Sequence, residues 1–403
     1  MYTPSQKILS RYADVLVNFA LNNGKGVKKG ETIYLIISED ARPLMVELRK
    51  TIAKAGAHLI LRYTPSDEGR FNFSKDFYTL AAPHQLSYTP EKYFTGIVEE
   101  VDHVIGILSN DPKQLEGIDP GKLSIHGNAL TKFRVLYSAK QSQGKLSWTL
   151  AQYGTEALAK EAGLTLKEYW GEIIKACYLD TKNPIKQWKD TFKKIESVKK
   201  KLDALPIDTL HIEGEDINLL ISFGEKRKWL GGGGSNIPTF EIFCSPDWRG
   251  TEGWIRFNQP VYYLGNKISG VELWFEEGKV VQCSAKQGEK LLKSMIASEN
   301  ADKIGEFSLT DSRFSRITKF MANTLYDENI GGPEGNTHIA LGKAYKEGYA
   351  GDPKKLKDSD WKNLGFNTSS VHTDIFSTSP RTVTAYLKNK KSKVIYTKGK
   401  FTV

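Results

Sequence analysis

Cysteine is scarce, with three residues (Cys177, Cys244 and Cys283) in a chain of 403. They stand far apart and form no Cys-x-x-Cys pair, which excludes a disulfide framework and a cysteine-rich zinc site. Long apolar runs are missing too. Tyr34-Leu35-Ile36-Ile37 is boxed in by Thr32, Ser38 and Glu39, far short of the roughly 20 residues of a membrane helix. Near the N-terminus, Asp14 and Asn18 interrupt Val15-Leu16-Val17, so no signal-peptide core is expected. Several chemical signatures are also absent. There is no HExxH zinc-protease helix and no GxSxG nucleophile elbow. Gly117-Ile118-Asp119-Pro120-Gly121-Lys122-Leu123 is too short for a phosphate loop and has Leu123 where a magnesium-binding hydroxyl belongs. Gly24, Gly26 and Gly30 miss the dinucleotide spacing and precede a strand.

The length suits two or three domains of ordinary size. Hydrophobic residues at 39% and charged residues at 26% exclude a disordered or collagen-like chain. A cytoplasmic enzyme or binding protein is the expectation, without membrane attachment. The formal net charge is +10, and its densest source is Lys182 to Lys201. There Ile185, Trp188, Phe192, Ile195, Leu202 and Leu205 recur at helical spacing, so the lysines read as the solvated face of an amphipathic helix. A nucleic-acid stripe is the rival reading, but no aromatic platform interleaves the lysines, and no nucleic-acid partner is expected. The lysines from Lys388 to Lys400 fit an edge strand protected against pairing.

Strand and helix signals alternate through the first third: Thr32–Ser38, Arg42–Ala55, His58–Tyr63, Val101–Leu108 and Phe133–Tyr137, the last read as a strand. This predicts an α/β domain with a mainly parallel sheet and crossover helices. Helices follow over Thr155–Ala162, Leu166–Cys177 and the lysine-rich segment. Pro206 closes that run, which gives an N-terminal domain of 1–205 and a C-terminal α+β domain of 206–403. The latter carries strands at Thr209–Ile212, Asn218–Phe223, Trp254–Phe257, Gly270–Phe275 and Lys279–Ser284, with a hairpin turn at Glu276-Glu277-Gly278-Lys279. Helices are expected at Gly288–Ala297 and across Phe314–Met321, and then a terminal set of strands.

The polar residues that remain could carry chemistry. His372 and Asp374 share a face if their segment is a strand. His338 and Tyr345 share one if theirs is a helix. Glu241 sits among Phe240, Ile242 and Phe243, and Glu306 among Ile304, Phe307 and Leu309. A carboxylate in such a run lies on the surface, or it must be paired, protonated or metal-bound. Two glutamates, two histidines and an aspartate together would suit a binuclear divalent site that needs no thiolate.

The order of Asn236-Ile237-Pro238-Thr239-Phe240-Glu241-Ile242-Phe243, Ile304-Gly305-Glu306, Asn323-Thr324-Leu325-Tyr326-Asp327-Glu328-Asn329, His338 through Tyr345, and Val371-His372-Thr373-Asp374 resembles the aminopeptidase T / aminopeptidase S family of metalloaminopeptidases. The first half is similar more loosely, through the Tyr12–Ala20 helix, Gly30-Glu31-Thr32, and Trp148 to Trp170. The resemblance implies Glu241, Glu306, His338, His372 and Asp374 as ligands of two divalent ions (zinc, cobalt or manganese). Tyr345 would be a further ligand or an oxyanion donor, and Glu306 would share in catalysis. It leaves open whether Glu241, Glu306 or Glu328 bridges the ions or moves the proton. It also implies short peptides with a free N-terminus as substrates, and a homodimer. Two departures stand out. Phe240 replaces a usual glutamate, and residues 330–336 lengthen the link to His338, where Gly and Pro predict a loop that leaves the helix register of His338 unchanged. Another metallohydrolase, an amidase or phosphoesterase, is the alternative on the same ligand set.

Overall fold

The structure is a computed structural model that describes residues 2–67 and 72–403. The chain groups into two compact units. One comprises Met1–Lys189, Gly233–Pro238 and Leu264–Asn266, and the other Asp190–Gly232, Thr239–Tyr263 and Lys267–Val403.

The first unit holds a parallel sheet built from β1 (Thr32–Ser38), β2 (His58–Thr64), β3 (His103–Leu108) and β4 (Ser147–Gln152), with the short strand Asn236–Ile237. The strand order is β2, β1, β3, β4 and then Asn236–Ile237, and every neighbouring pair runs parallel. Helices make the crossovers between β1 and β2, β2 and β3, and β3 and β4, for example Arg42–Lys54 between β1 and β2. All but one residue of β1 is buried, as a strand covered on both faces requires, whereas the edge strand β2 is largely exposed. The starts of β3 and β4 are joined through His103, whose Nε2 lies 2.9 Å from Glu31 and whose Nδ1 lies 2.9 Å from the Ser147 hydroxyl.

The second unit contains an eight-stranded and a four-stranded antiparallel sheet. The larger runs, edge to edge, through Lys279–Ser284, Glu272–Glu276, Asp247–Arg256, Ile217–Ser222, Ile207–Gly214, Arg381–Leu387, Ser392–Thr397 and Lys400–Phe401. Its hairpin turn at Glu277-Gly278 has φ of 49° and 76°, the left-handed pair that a two-residue turn demands. The sheet ends in Lys400–Phe401, which pairs only with Thr397 and Tyr396, so Lys400 lies on the edge strand as expected, whereas Lys388, Lys390 and Lys391 sit in the preceding turn. The smaller sheet has four strands: β5 (Glu241–Cys244), β6 (Ile304–Thr310), β7 (Asn336–Gly342) and β8 (His372–Ser377), in the order β8, β7, β6, β5. Every residue of β6 and β7 is buried.

Three expectations are corrected. Phe133–Tyr137 lies inside the helix Thr131–Ser142, and the parallel strand next to β3 is β4. Phe314–Met321 is irregular chain. His338 stands on the strand β7, not on a helix, and Tyr345 lies beyond its end. The lysine-rich helix spans Pro184–Asp203; it buries Trp188, Ile195 and Leu202 and exposes Lys186, Lys193, Lys194 and Lys200. No helix among the described residues is long and apolar enough to cross a membrane.

Candidate metal centre

The register of the four-stranded sheet assembles the site. Directly paired residues of an antiparallel sheet point to the same face, as do residues two apart along a strand. Ser308 pairs with His338, Glu306 with Ala340, and Ala340 with Asp374. Gly342 pairs with His372, and on the other side Thr310 pairs with Glu241. Glu241, Glu306, His338, His372 and Asp374 therefore project from one face, drawn from four strands spread over some 130 residues of sequence.

The side chains converge. His338 Nε2 lies 3.2 Å from Glu306 Oε1, 3.4 Å from Glu241 Oε2 and 4.0 Å from Asp374 Oδ1. His372 Nε2 lies 3.6 Å from Glu306 Oε2 and 3.5 Å from Asp374 Oδ1. Glu306 thus turns one oxygen to each imidazole. Donor atoms within 4.8 Å of one another form three groups: Glu241, Glu306 and His338; Glu306, His372 and Asp374; and Glu328, His338 and Asp374. The first two share Glu306.

Beneath the cluster, Ala340 occupies the row between Glu306 and Asp374. A methyl group there leaves room that a longer side chain would fill. Gly342, with φ of 102°, ends β7 opposite His372, and a Cβ there would run into the Val371 carbonyl. His372 Nδ1 lies 2.8 Å from the Lys343 carbonyl. That bond fixes the ring and presents Nε2 to the cluster, the usual arrangement for a ligating histidine.

The electrostatics fit a cation. Among the described residues, none of Glu241, Glu306, Glu328 and Asp374 pairs with a lysine or arginine. Burial, followed by repulsion from Glu306, pushes the Glu241 carboxyl up to about 8. Burial, followed by Glu241, raises Glu328 well above its ordinary range. Burial alone would lower both histidines. At His338 the hydrogen bond with Glu306 and the charges of Glu306, Asp374 and Glu241 together outweigh it, and at His372 Asp374, Glu306 and the Lys343 carbonyl together do, so each rises to about 9. Burial opposes ionisation of Asp374 as well, yet His372 holds it below the ordinary aspartate range. Three buried carboxylates and the partly buried Asp374 face two imidazoles, so once deprotonated the cluster would carry an excess of negative charge that divalent ions would neutralise. Oxygen and imidazole donors without thiolate suit zinc, cobalt or manganese.

Tyr345 stands beside the cluster. Its ring meets His372 edge-on at 4.9 Å and Phe243 at 5.7 Å between centroids. Burial, reinforced by the carboxylates, raises its phenol well above its ordinary value, so the hydroxyl keeps its proton and can donate it in a hydrogen bond. The sequence reading did not assign the supporting groups. Asn329, fully buried, donates to Glu328 at 3.3 Å and accepts from the Phe240 amide at 2.7 Å. Thr239 lies 3.4 Å from Glu241. Asp327-Glu328-Asn329 is a run of three polar residues that is entirely buried, and only the run itself was visible in the sequence.

The sequence pattern that defines the thermophilic metalloprotease (M29) family matches residues 5–401. The chain belongs to that family. Among similar proteins of this M29 kind, aminopeptidase PepS of Streptococcus thermophilus is 27% identical over 390 residues, covering 91% of each chain. Aminopeptidase AmpS of Bacillus subtilis is 28% identical over 391 residues, covering 92% of each. In three dimensions, AmpT from Thermus thermophilus superposes with a TM-score of 0.82 at 21% identity over 99% of this chain and 100% of that one. The mixed α/β architecture of this M29 member is therefore the fold of AmpT.

Proposed function

We propose that this M29 metalloprotease is an aminopeptidase that removes N-terminal residues from short peptides at a dinuclear centre held by Glu241, Glu306, His338, His372 and Asp374. The observation that carries the reading is Glu306, a buried carboxylate with one oxygen toward His338 and the other toward His372. One side chain can then serve two neighbouring ions. When bound, such a pair of divalent ions supplies an activated water and polarises the scissile carbonyl.

The chain's own residues do the remaining work. The Tyr345 hydroxyl donates a hydrogen bond to the oxyanion that develops at the carbonyl. A carboxylate of Glu241 or Glu328, ionised once the cations offset its burial, would take up a proton from the attacking water and return it to the leaving amine. The free amine of the substrate would bind a metal or a nearby carboxylate, which ties cleavage to a free N-terminus. The relatives named aminopeptidases support this choice of substrate. Zinc, cobalt or manganese, a homodimer and a cytoplasmic setting complete the proposal.

The test compares a peptide amide with its N-acetylated counterpart, beside a phosphoryl ester. Metal-dependent cleavage of the free peptide alone is expected. Equal cleavage of the acetylated peptide, or turnover of the ester only, would refute the aminopeptidase reading.

A further inference from the structure

Tyr345 belongs to no strand or helix, so something else must hold its phenol at the centre. Beyond the end of β7, three successive amides are each tied to a different partner. Lys343 donates to the Val371 carbonyl at 2.7 Å and Ala344 to the Asn367 carbonyl at 2.9 Å. Tyr345 donates to the Ser245 hydroxyl at 2.8 Å, the one bond of the three that a side chain provides. Ser245 directly follows β5 and is fully buried.

Ser245 is itself fixed. Its carbonyl accepts from Arg227 Nε at 2.6 Å. Arg227 also donates to the Glu225 carbonyl at 2.8 Å and the Leu364 carbonyl at 2.7 Å, with its guanidinium 3.6 Å above the Phe366 ring. It is only 8% exposed. A planar fork with three donors committed to three loops is a rigid bracket. The loop carrying Tyr345 is thus joined, through one hydroxyl, to the strand that carries Glu241.

We propose that Ser245, held by Arg227, is a positioning residue that fixes Tyr345 over the metal centre. This rests on the role given to Tyr345 above. An oxyanion donor works only when pre-set, and a displacement of about 1 Å can cost about a hundredfold in rate. Ser245 would act through the Tyr345 backbone and not on ion or substrate directly.

The test uses Ser245→Ala, Ser245→Thr, Tyr345→Phe and the double variant Ser245→Ala/Tyr345→Phe. Hydrogen exchange on the metal-free protein reads the anchor without activity. In Ser245→Ala, the peptide covering residues 343–348 should exchange at least tenfold faster, with β7 unchanged. In the metal-loaded enzyme, kcat should fall about tenfold or more while KM and metal content hold, and Ser245→Thr should recover most of it. In the Tyr345→Phe background, adding Ser245→Ala should cost less than twofold. Should Ser245→Ala not fold, Ser245→Cys keeps the volume with a poor acceptor and should show the same losses. Unchanged exchange at 343–348, or an equal fold-loss with and without the Tyr345 hydroxyl, would overturn the proposal. A wild-type chain that takes up metal yet cleaves no peptide would count against the aminopeptidase reading instead, because the exchange result does not depend on it.

Discussion

At the scale of single residues, the proposed function divides the chemistry between Glu306, which would hold ions, and Tyr345, which would stabilise charge. Glu306 is 3% exposed and faces both histidines. Glu306→Gln keeps the shape and removes the charge, so turnover should become undetectable while the circular dichroism spectrum is unchanged. Wild-type activity in that variant would remove Glu306 from the site. Tyr345→Phe deletes only a hydroxyl. If the phenol is an oxyanion donor, kcat should fall by about 10²–10³-fold, with metal content at the wild-type level. A matching loss of bound metal would make Tyr345 a ligand. The residue types at these positions were legible in the sequence, because a carboxylate inside an apolar run needs a reason to be there. Ser245, Asn329 and Ala340 were not. A serine, an asparagine and an alanine carry no chemical signal until the pairing of strands shows what they touch.

At the scale of elements, the site is a product of strand register. A shift of one residue in β7 would turn His338 away from the cluster. Gly342 guards that register, since a side chain there meets the Val371 carbonyl. Gly342→Ala should therefore destabilise the protein by about 1–3 kcal/mol and lower metal occupancy through His372, read by thermal unfolding and metal analysis together. A variant with full occupancy and an unchanged midpoint would show that the pairing tolerates a Cβ. β7 was misread as a helix for a physical reason. Asn336 to Gly342 is buried on both sides, so the polar alternation that marks a half-exposed strand is missing. Thr131–Ser142 erred the other way, because Phe133, Val135 and Tyr137 mimic a strand in a short window. The loop expected over residues 330–336 from its Gly and Pro ends at 335, because Asn336 already begins a strand.

At the scale of the whole molecule, the α/β class and the sequence of a parallel sheet followed by antiparallel ones were readable from element order. The order of strands within each sheet was not, since it depends on long-range pairing. The buried charge also makes the whole molecule sensitive to pH. Before metal is bound, Glu241 titrates at about 8 and the two histidines at about 9, above their ordinary values of 4.5 and 6.5. The folded metal-free protein then holds more protons than the unfolded chain between those limits. Its stability should fall as pH rises from about 5 to 9, while proton release makes metal binding tighter over the upper part of that range. Unfolding midpoints of the chelated protein at several pH values, with calorimetric titration of metal in buffers of different ionisation enthalpy, measure both. A midpoint that rises with pH would contradict the assignment.

The central claim is that one buried cluster holds two ions and that catalysis depends on them. Inductively coupled plasma mass spectrometry on the purified protein, with aminopeptidase activity measured before and after chelation, tests it most directly. About two divalent ions per chain are expected, with activity lost on chelation and recovered with zinc, cobalt or manganese. A folded protein that binds no metal when supplied with those ions, or whose peptidase activity survives chelation intact, would contradict it.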